Sequence, residues 1–298
     1  MADLEPFDFS LLDNDQPRKI LSFRRTDGAA GSKFDPPVEL IVVIDAVNLP
    51  YQFVTTQRLE VEKYLRLNNG QLAFPTSVFL FSSQGLHIQP APSKDGNALA
   101  KMLDEAKGTV RARELSGGVY SLVEQFQDSF KTIQGIAENE ALKPGRKVMI
   151  WIGPGWPLLT ERFFIETSES RQNYFHQLVA LTKQLREARI TLYNVAPIVG
   201  STWSRYKAYL KPLTDWRKME IADLSLQVLA VQTGGRVLDP GNDLVKLILD
   251  CQSEIGPYYS ITFEAPPAAA ADELHSLHVQ MKGDGLTART NGWYYDEP

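Results

Sequence analysis

Cysteine is almost absent from this chain of 298 residues, which contains only Cys251. An intrachain disulfide is therefore impossible, and cysteine usage says nothing about the redox compartment. Cys251 closes an apolar stretch that begins at residue 247. We expect it to behave as a small buried hydrophobic residue rather than as a reactive thiol.

Basic clusters and long apolar runs are missing as well. The formal net charge is −5, and the largest basic groupings are the small sets Arg24/Arg25 and Arg111/Arg113. A nucleic-acid-binding surface needs a much larger basic patch, so nucleic acid is not expected as a partner. No apolar run approaches the roughly 20 residues of a membrane-spanning helix, so we expect no membrane span in this chain.

Familiar catalytic signatures are not found either. The sequence has no Gly-x-Ser-x-Gly and no P-loop, and Gly153-x-Gly155 lacks the third glycine of a dinucleotide-binding fingerprint. His275 and His278 could suggest a metal pair, but positions three apart in a strand point to opposite faces of a sheet. We therefore predict a protein that is not an enzyme and that needs no cofactor.

What the sequence does contain, between residues 38 and 253, is an alternation of buried strands and helices. Near-continuous apolar runs at 38–45, 77–81, 147–152 and 190–195 are typical of strands buried on both faces. Helical patterns lie between and after them, at 55–67, 95–107, 119–137, 171–189, 219–232 and 242–253. This alternation predicts an α/β fold with a Rossmann-like, mostly parallel sheet and helices on both faces. Ligands of such sheets bind at the carboxyl ends of the strands.

Short strands without intervening helices are predicted at both ends of the chain. They cover 7–12 and 20–23 at the start, and 258–263, 274–281 and 286–289 at the end. Strands that lack helices between them are expected to pair antiparallel. We predict three parts: N-terminal strands within 1–30, an α/β domain over 38–253, and an antiparallel extension over 254–298. The first and last parts are expected to form one small β-unit.

The order of these segments resembles the von Willebrand factor type A domain. The resemblance rests on VELIVVIDA at 38–46, GRKVMIWIGPGWP at 145–157, ITLYNV at 190–195 and LAVQTGGRVLD at 229–239. The entry strand at 8–13 and the stretch from Tyr258 to Tyr294 are similar to the "VWFA-related" proteins of Acidobacteria. The resemblance implies a bacterial, exported protein. We therefore expect an extracytoplasmic location, secreted or periplasmic, with a native leader removed ahead of Met1.

The resemblance also implies where a metal would bind. Type A domains often hold Mg²⁺ through Asp-x-Ser-x-Ser after the first strand, a Thr from a second loop and an Asp after the middle strand. Only the first of these matches here, as Asp45. The other positions fall on Val47, on Leu49, near Gly118 and Val119 (with Ser116 and Ser121 close by), and on residues 153–155. One carboxylate holds Mg²⁺ poorly against its hydration shell, so we expect a degenerate, metal-free site.

Several residues of the strand-end loops remain candidates for binding a partner. Asp45 and Asn48 either fasten their loop through hydrogen bonds to backbone amides, or contact a ligand or a nonstandard ion. Trp156 is either an exposed aromatic anchor or packs against residues 163–175. The predicted partner-binding set is Asp45, Asn48, Tyr51, Ser116, Tyr120, Ser121, Pro154 and Trp156.

These residues predict a non-enzymatic binding or adhesion module that recognises another protein or a surface polymer through its strand-end loops. Two alternatives stay open. One is metal-dependent adhesion with Mg²⁺ at a nonstandard site on Asp45, and the other is a hydrolase that uses Asp45 as its acid/base. A purely structural role within an envelope assembly is not separable from the first prediction by sequence.

Overall fold

The structure of the chain is a computed structural model. It describes residues 4–26, 37–89, 91–106, 118–156, 167–195, 210–238, 243–283 and 285–296, without the side chains of 88, 118–120 and 221. The helices are α1 (Tyr51–Leu65), α2 (Gly96–Glu105), α3 (Gly118–Ala141), α4 (Ser168–Glu187), α5 (Leu226–Gln232) and α6 (Leu244–Ser253). Short 3-10 helices cover Pro6–Asp8, Leu67–Gly70, Trp216–Lys218 and Ile221–Leu224.

The strands divide into a central group and two terminal groups. The central strands are β4 (Glu39–Asp45), β5 (Gln71–Ser82), β6 (Gly85–Ile88), β7 (Ser93–Asp95), β8 (Lys147–Ile152), β9 (Ile190–Val195) and β10 (Val237–Leu238). The terminal strands are β1 (Phe9–Asp13), β2 (Gln16–Arg18) and β3 (Ile20–Thr26) at the start, and β11 (Tyr258–Phe263), β12 (Glu273–Met281) and β13 (Trp293–Asp296) at the end.

The central sheet has the strand order β10-β9-β8-β4-β5-β6. Strands β4, β5, β8, β9 and β10 run parallel, whereas β6 and β7 pair antiparallel with β5. Read by chain order, this is the 3-2-1-4-5-6 arrangement of doubly wound folds, whose direction reverses between β4 and β8. The predicted fold class, a mostly parallel α/β sheet with helices on both faces, is confirmed.

Both faces of this sheet are buried because alternate residues of each strand enter two different cores. In β4, Ile41 and Val43 belong to one core, and Leu40, Val42 and Ile44 to the other. Helices α3, α4 and α5 cover the first face, and α1, α2 and α6 cover the second. No helix within the described ranges is long and apolar enough to cross a membrane.

The strands at the two ends of the chain pair with one another, as predicted. Leu11 of β1 faces Val279 of β12, and Phe23 of β3 faces Ile261 of β11. They form a four-stranded sheet, β13-β12-β1-β2, and a two-stranded sheet, β11-β3. The strand predicted at 286–289 is wrong: these residues form no strand, and the C-terminal partner of β12 is β13, whose side chains Tyr294 and Tyr295 are buried. The three domain boundaries stay a prediction.

A buried polar cluster joins the first strand to the last two. The carboxylate of Asp13 accepts a hydrogen bond from the Tyr294 hydroxyl at 3.0 Å and lies 2.9 Å from Nδ1 of His275. His275 is buried while His278 is exposed, so the two histidines do point to opposite faces of β12. The cluster therefore links the two ends of the chain. Because they lie on opposite faces, His275 and His278 are not placed to bind one metal ion together.

A buried lysine lies where two helices end. Nζ of Lys147 donates to the carbonyls of Glu140 at 2.8 Å, Lys143 at 2.6 Å and Ala188 at 3.2 Å. Burial lowers the pKa of Lys147, and the charge of Glu140 opposes that shift. A cation at helix carboxyl ends is favourable, so Lys147 holds α3 and α4 against the start of β8.

Candidate functional site

Asp45 ends β4 at the carboxyl edge of the sheet, beside the point where the strand order reverses. Its side chain is fully buried. Oδ1 accepts from the backbone N–H of Val47 at 3.1 Å and of Asn48 at 2.9 Å. Oδ2 accepts from Nδ2 of Asn48 at 2.8 Å and from Nε1 of Trp151 at 3.0 Å. Donors of the chain itself therefore take the four lone-pair positions of this carboxylate.

These contacts define the chemistry of Asp45. Burial raises the pKa of its carboxyl above the ordinary range, and the hydrogen bonds from Asn48, Trp151 and Val47 oppose part of that rise. All four donors are neutral groups. Asp45 and Asn48 thus fasten the strand-end loop. Their contact with a partner stays a prediction.

The donor set around Asp45 does not fit a magnesium ion. Mg²⁺ requires an octahedron of oxygen ligands, and Asp45 could offer one only by releasing a hydrogen bond. Val47 and Leu49 are apolar and buried. Within the described ranges, no group of three or more His, Cys, Asp or Glu side chains could hold a metal. The same enclosure disfavours Asp45 as an acid/base, since such a group must come within hydrogen-bonding distance of a substrate.

Two amide side chains hold the loop after β8 against Asp45. Gly153 has a φ of +153°, and a Cβ there would lie 2.6 Å from Cβ of Asp45, so glycine is required for this close approach. Nδ2 of Asn194 donates to the Gly153 carbonyl at 2.8 Å. Nε2 of Gln227 donates to Oδ1 of Asn194 at 2.9 Å and to the Pro154 carbonyl at 2.8 Å. Neither amide was among the predicted residues, although an asparagine near the end of the apolar strand β9 was a visible signal.

Trp156 is buried, which excludes the first of its two predicted alternatives, an exposed aromatic anchor. Its indole N–H donates to the carbonyl of Leu224 at 2.5 Å. Its ring packs edge-on against Phe126 and Phe130 of α3, with centroids 6.0 Å and 6.2 Å apart. In this position the indole N–H has a hydrogen-bond acceptor and the large apolar ring is removed from water. Burial of the ring is therefore more favourable than its exposure on the loop. The ring contacts described for it are with α3, and the second alternative, packing against residues 163–175, lies partly outside the described residues.

Among the members of the predicted set whose side chains are described, Tyr51 is the one that faces solvent, with 60% of its surface exposed in the first turn of α1. Phe53, which was not predicted, lies in the same turn and is 37% exposed. Ser121 is buried, and Pro154 is half-buried with its carbonyl bonded to Gln227. Two members of the predicted set lie outside the described atoms: Ser116 and the side chain of Tyr120.

Comparison with known proteins leaves the family open. No family model and no curated protein matches the chain. The human COPII-coat protein Sec24c is similar in structure, with 13% identity over 78% of this chain and 34% of that chain, at a TM-score of 0.44. The TFIIH p34 N-terminal domain is similar at 10% identity over 72% of this chain and 94% of that chain, with a TM-score of 0.32.

The chain spans about a third of the Sec24c chain that it matches. Because both TM-scores are low, the fold assignment rests on the strand order of this chain itself. The likeness to von Willebrand factor type A domains remains a resemblance carried by the sequence segments around β4, β8 and β9.

Proposed function

We propose that this chain is a non-enzymatic binding module of the von Willebrand factor type A kind. It recognises another protein or a surface polymer at the carboxyl edge of the sheet, without a metal ion. One observation carries the proposal: the carboxylate of Asp45 and Nδ2 of Asn48 bond to each other inside this edge, while Tyr51 and Phe53 in the turn that follows face solvent.

The internal bonds of the edge matter because they fix its shape. Asp45 and Asn48 hold the loop that leads into α1, and Nδ2 of Asn48 also reaches Oγ of Ser129 in α3 at 3.0 Å. The first turn of α1 is thereby presented in one orientation, which lowers the entropy cost of binding. Tyrosine and phenylalanine are enriched at protein interfaces because their rings bury a large area with few rotamers to fix.

Alanine substitution tests this surface. Tyr51→Ala combined with Phe53→Ala should abolish capture of the partner from an extract of the source cells by the immobilised chain. Leu142→Ala is the matched control, because Leu142 is 86% exposed just after α3 and belongs to no proposed surface. It should leave capture unchanged. Equal capture by the double variant and the wild type would place the binding surface elsewhere.

A metal titration separates the proposal from metal-dependent adhesion. Capture should be unaffected by EDTA, and Mg²⁺ should not raise the thermal midpoint, since only a ligand of the folded state stabilises it by mass action. A saturable Mg²⁺ shift that disappears in Asp45→Ala would favour adhesion through a nonstandard site.

Extracytoplasmic location is part of the proposal, and fractionation of the source cells should place the protein outside the cytoplasm.

A further inference from the structure

The terminal strands and the α/β domain line a half-open cavity of about 760 Å³. This volume lies within the roughly 300–1,000 Å³ of small-molecule sites. The α/β domain lines it with Arg146, Arg189 and Ile190, which stand at the amino ends of β8 and β9. The cavity is therefore at the opposite edge of the sheet from Asp45, and a ligand bound there would be independent of the proposed function.

The terminal strands supply apolar walls. Val279 and Met281 on β12, with Leu11 on the neighbouring β1, line one wall. Ile261 and Phe263 on β11 line another. Alternate residues of a strand share a face, so one face of each small sheet is turned toward the same apolar interior. Such walls suit a hydrocarbon chain or ring system.

Three arginines stand on tyrosine rings around the same cavity, and one of them, Arg289 over Tyr193, is already paired with Glu254. Cζ of Arg146 lies 5.5 Å from the centre of the Tyr258 ring, and Cζ of Arg186 lies 5.5 Å from that of Tyr294. All four residues line the cavity. A guanidinium stacked on a ring keeps the N–H donors of its edge directed outward, where they match a carboxylate or phosphate.

The charges of the lining do not cancel. Its one acidic residue, Glu254, is already paired with Arg236 and Arg289. Within the described part of the chain, neither Arg146 nor Arg186 has a carboxylate within ion-pair distance. Arg189, which also lines the cavity, is exposed. The cavity thus combines apolar walls with cations that are able to accept an anion.

We propose that this cavity binds a small amphiphilic anion. The apolar body lies against the alternating side chains of β11 and β12, and a single anionic head group accepts hydrogen bonds from Arg146 and Arg186. A fatty carboxylate and an alkyl phosphate share this chemistry. A free inorganic anion would contact only the arginines, and an uncharged lipid would contact only the apolar walls.

Isothermal titration calorimetry of the full chain tests the ligand class, with every amphiphile kept below its micelle concentration. Dodecanoate or dodecyl phosphate should bind saturably at one site per chain, and the tighter of the two identifies the head group. Acetate, inorganic phosphate and 1-dodecanol should each bind at least about tenfold more weakly, because each lacks the body or the charge. Absence of saturable binding by both amphiphiles, or equal binding of 1-dodecanol, would overturn the proposal.

Variants locate the site. The double variant Arg146→Gln and Arg186→Gln should weaken binding of the preferred amphiphile by roughly ten- to a hundredfold, because charge-assisted hydrogen bonds are lost. Arg66→Gln, an exposed position that does not line the cavity, should bind as the wild type does. Ile261→Trp should block the apolar body, with its fold checked by circular dichroism. Unchanged affinity in either cavity variant would exclude this cavity.

Discussion

Replacing Asp45 by asparagine tests whether the strand-end carboxylate is a structural anchor. Asparagine keeps the shape of the side chain but turns one acceptor oxygen into an NH₂ donor. Each oxygen of Asp45 accepts two hydrogen bonds, so whichever oxygen is replaced, one buried donor and one partly buried donor of Asn48 then face another donor.

The loss in the free energy of unfolding depends on how many donors are left without an acceptor. A buried donor without an acceptor costs about 1–3 kcal/mol and the partly buried donor of Asn48 costs less, so the pair costs about 2–5 kcal/mol. Removing a buried charge offsets part of this, because burial raises the pKa of Asp45 and so disfavours its ionised form. We expect the free energy of unfolding to fall by about 2–4 kcal/mol at neutral pH.

Urea unfolding followed by circular dichroism measures this change, and indole fluorescence follows the five tryptophans of the chain, of which Trp151 is one of the four donors. Asp250→Asn is the matched control. Asp250 is exposed on α6, and its substitution should change stability by less than about 0.5 kcal/mol. If Asp45→Asn unfolds at the same urea concentration as the wild type, the anchor interpretation is refuted. A more stable variant would point instead to a carboxylate kept for function at the expense of stability.

Three further sites are probed by substitution, the first two by urea unfolding and the third by thermal unfolding. Gly153→Ala should destabilise by roughly 2 kcal/mol or more, since its Cβ would meet Asp45, whereas Gly135→Ala, in open space on α3, should stabilise by about 0.5–1 kcal/mol. Lys147→Met should cost about 2–4 kcal/mol, because three buried carbonyls lose a charged donor; a loss below about 0.5 kcal/mol, as expected for an exposed lysine, would contradict this. Burial raises the pKa of Asp223 from 3.8 to about 6, so its contribution to stability is full below pH 3.8 and is lost as pH rises through about 6. Asp223→Asn should flatten the fall in thermal midpoint over this range, and an unchanged pH slope would show that Asp223 is not its source.

The central sheet could be predicted because its strands carry their burial in their own sequence. Every residue of β4 is buried, and the uninterrupted apolar run at 40–44 predicts that burial from the sequence. The helix predicted at 219–232 is instead a 3-10 turn followed by α5, because Ser225 adopts an extended backbone with a ψ of 150°. One extended residue within a run of helix-forming residues does not change the hydrophobic periodicity, so the sequence pattern does not reveal this break.

The candidate sites were less predictable, because their geometry depends on residues far apart in the chain. Asp45 follows the apolar run of β4 in the sequence, so its location at the carboxyl edge of the sheet could be predicted. The burial of Trp156 could not be read from its loop, since it depends on α3 and on Leu224. The cavity was also missed. Its Arg146–Tyr258 and Arg186–Tyr294 stacks join positions that no motif spacing connects.

The two edges of the sheet should behave independently, and this separates the proposals. Asp45→Asn removes bonds at the carboxyl edge and should lower stability without changing amphiphile affinity. The Arg146→Gln and Arg186→Gln pair acts at the amino edge and should lower affinity without lowering the stability of the free chain. A bound anion should also raise the thermal midpoint by mass action, because the terminal strands that line its cavity pair only in the folded state. Loss of amphiphile binding in Asp45→Asn, with the fold intact, would mean that the two edges are coupled and that the cavity is not an independent site.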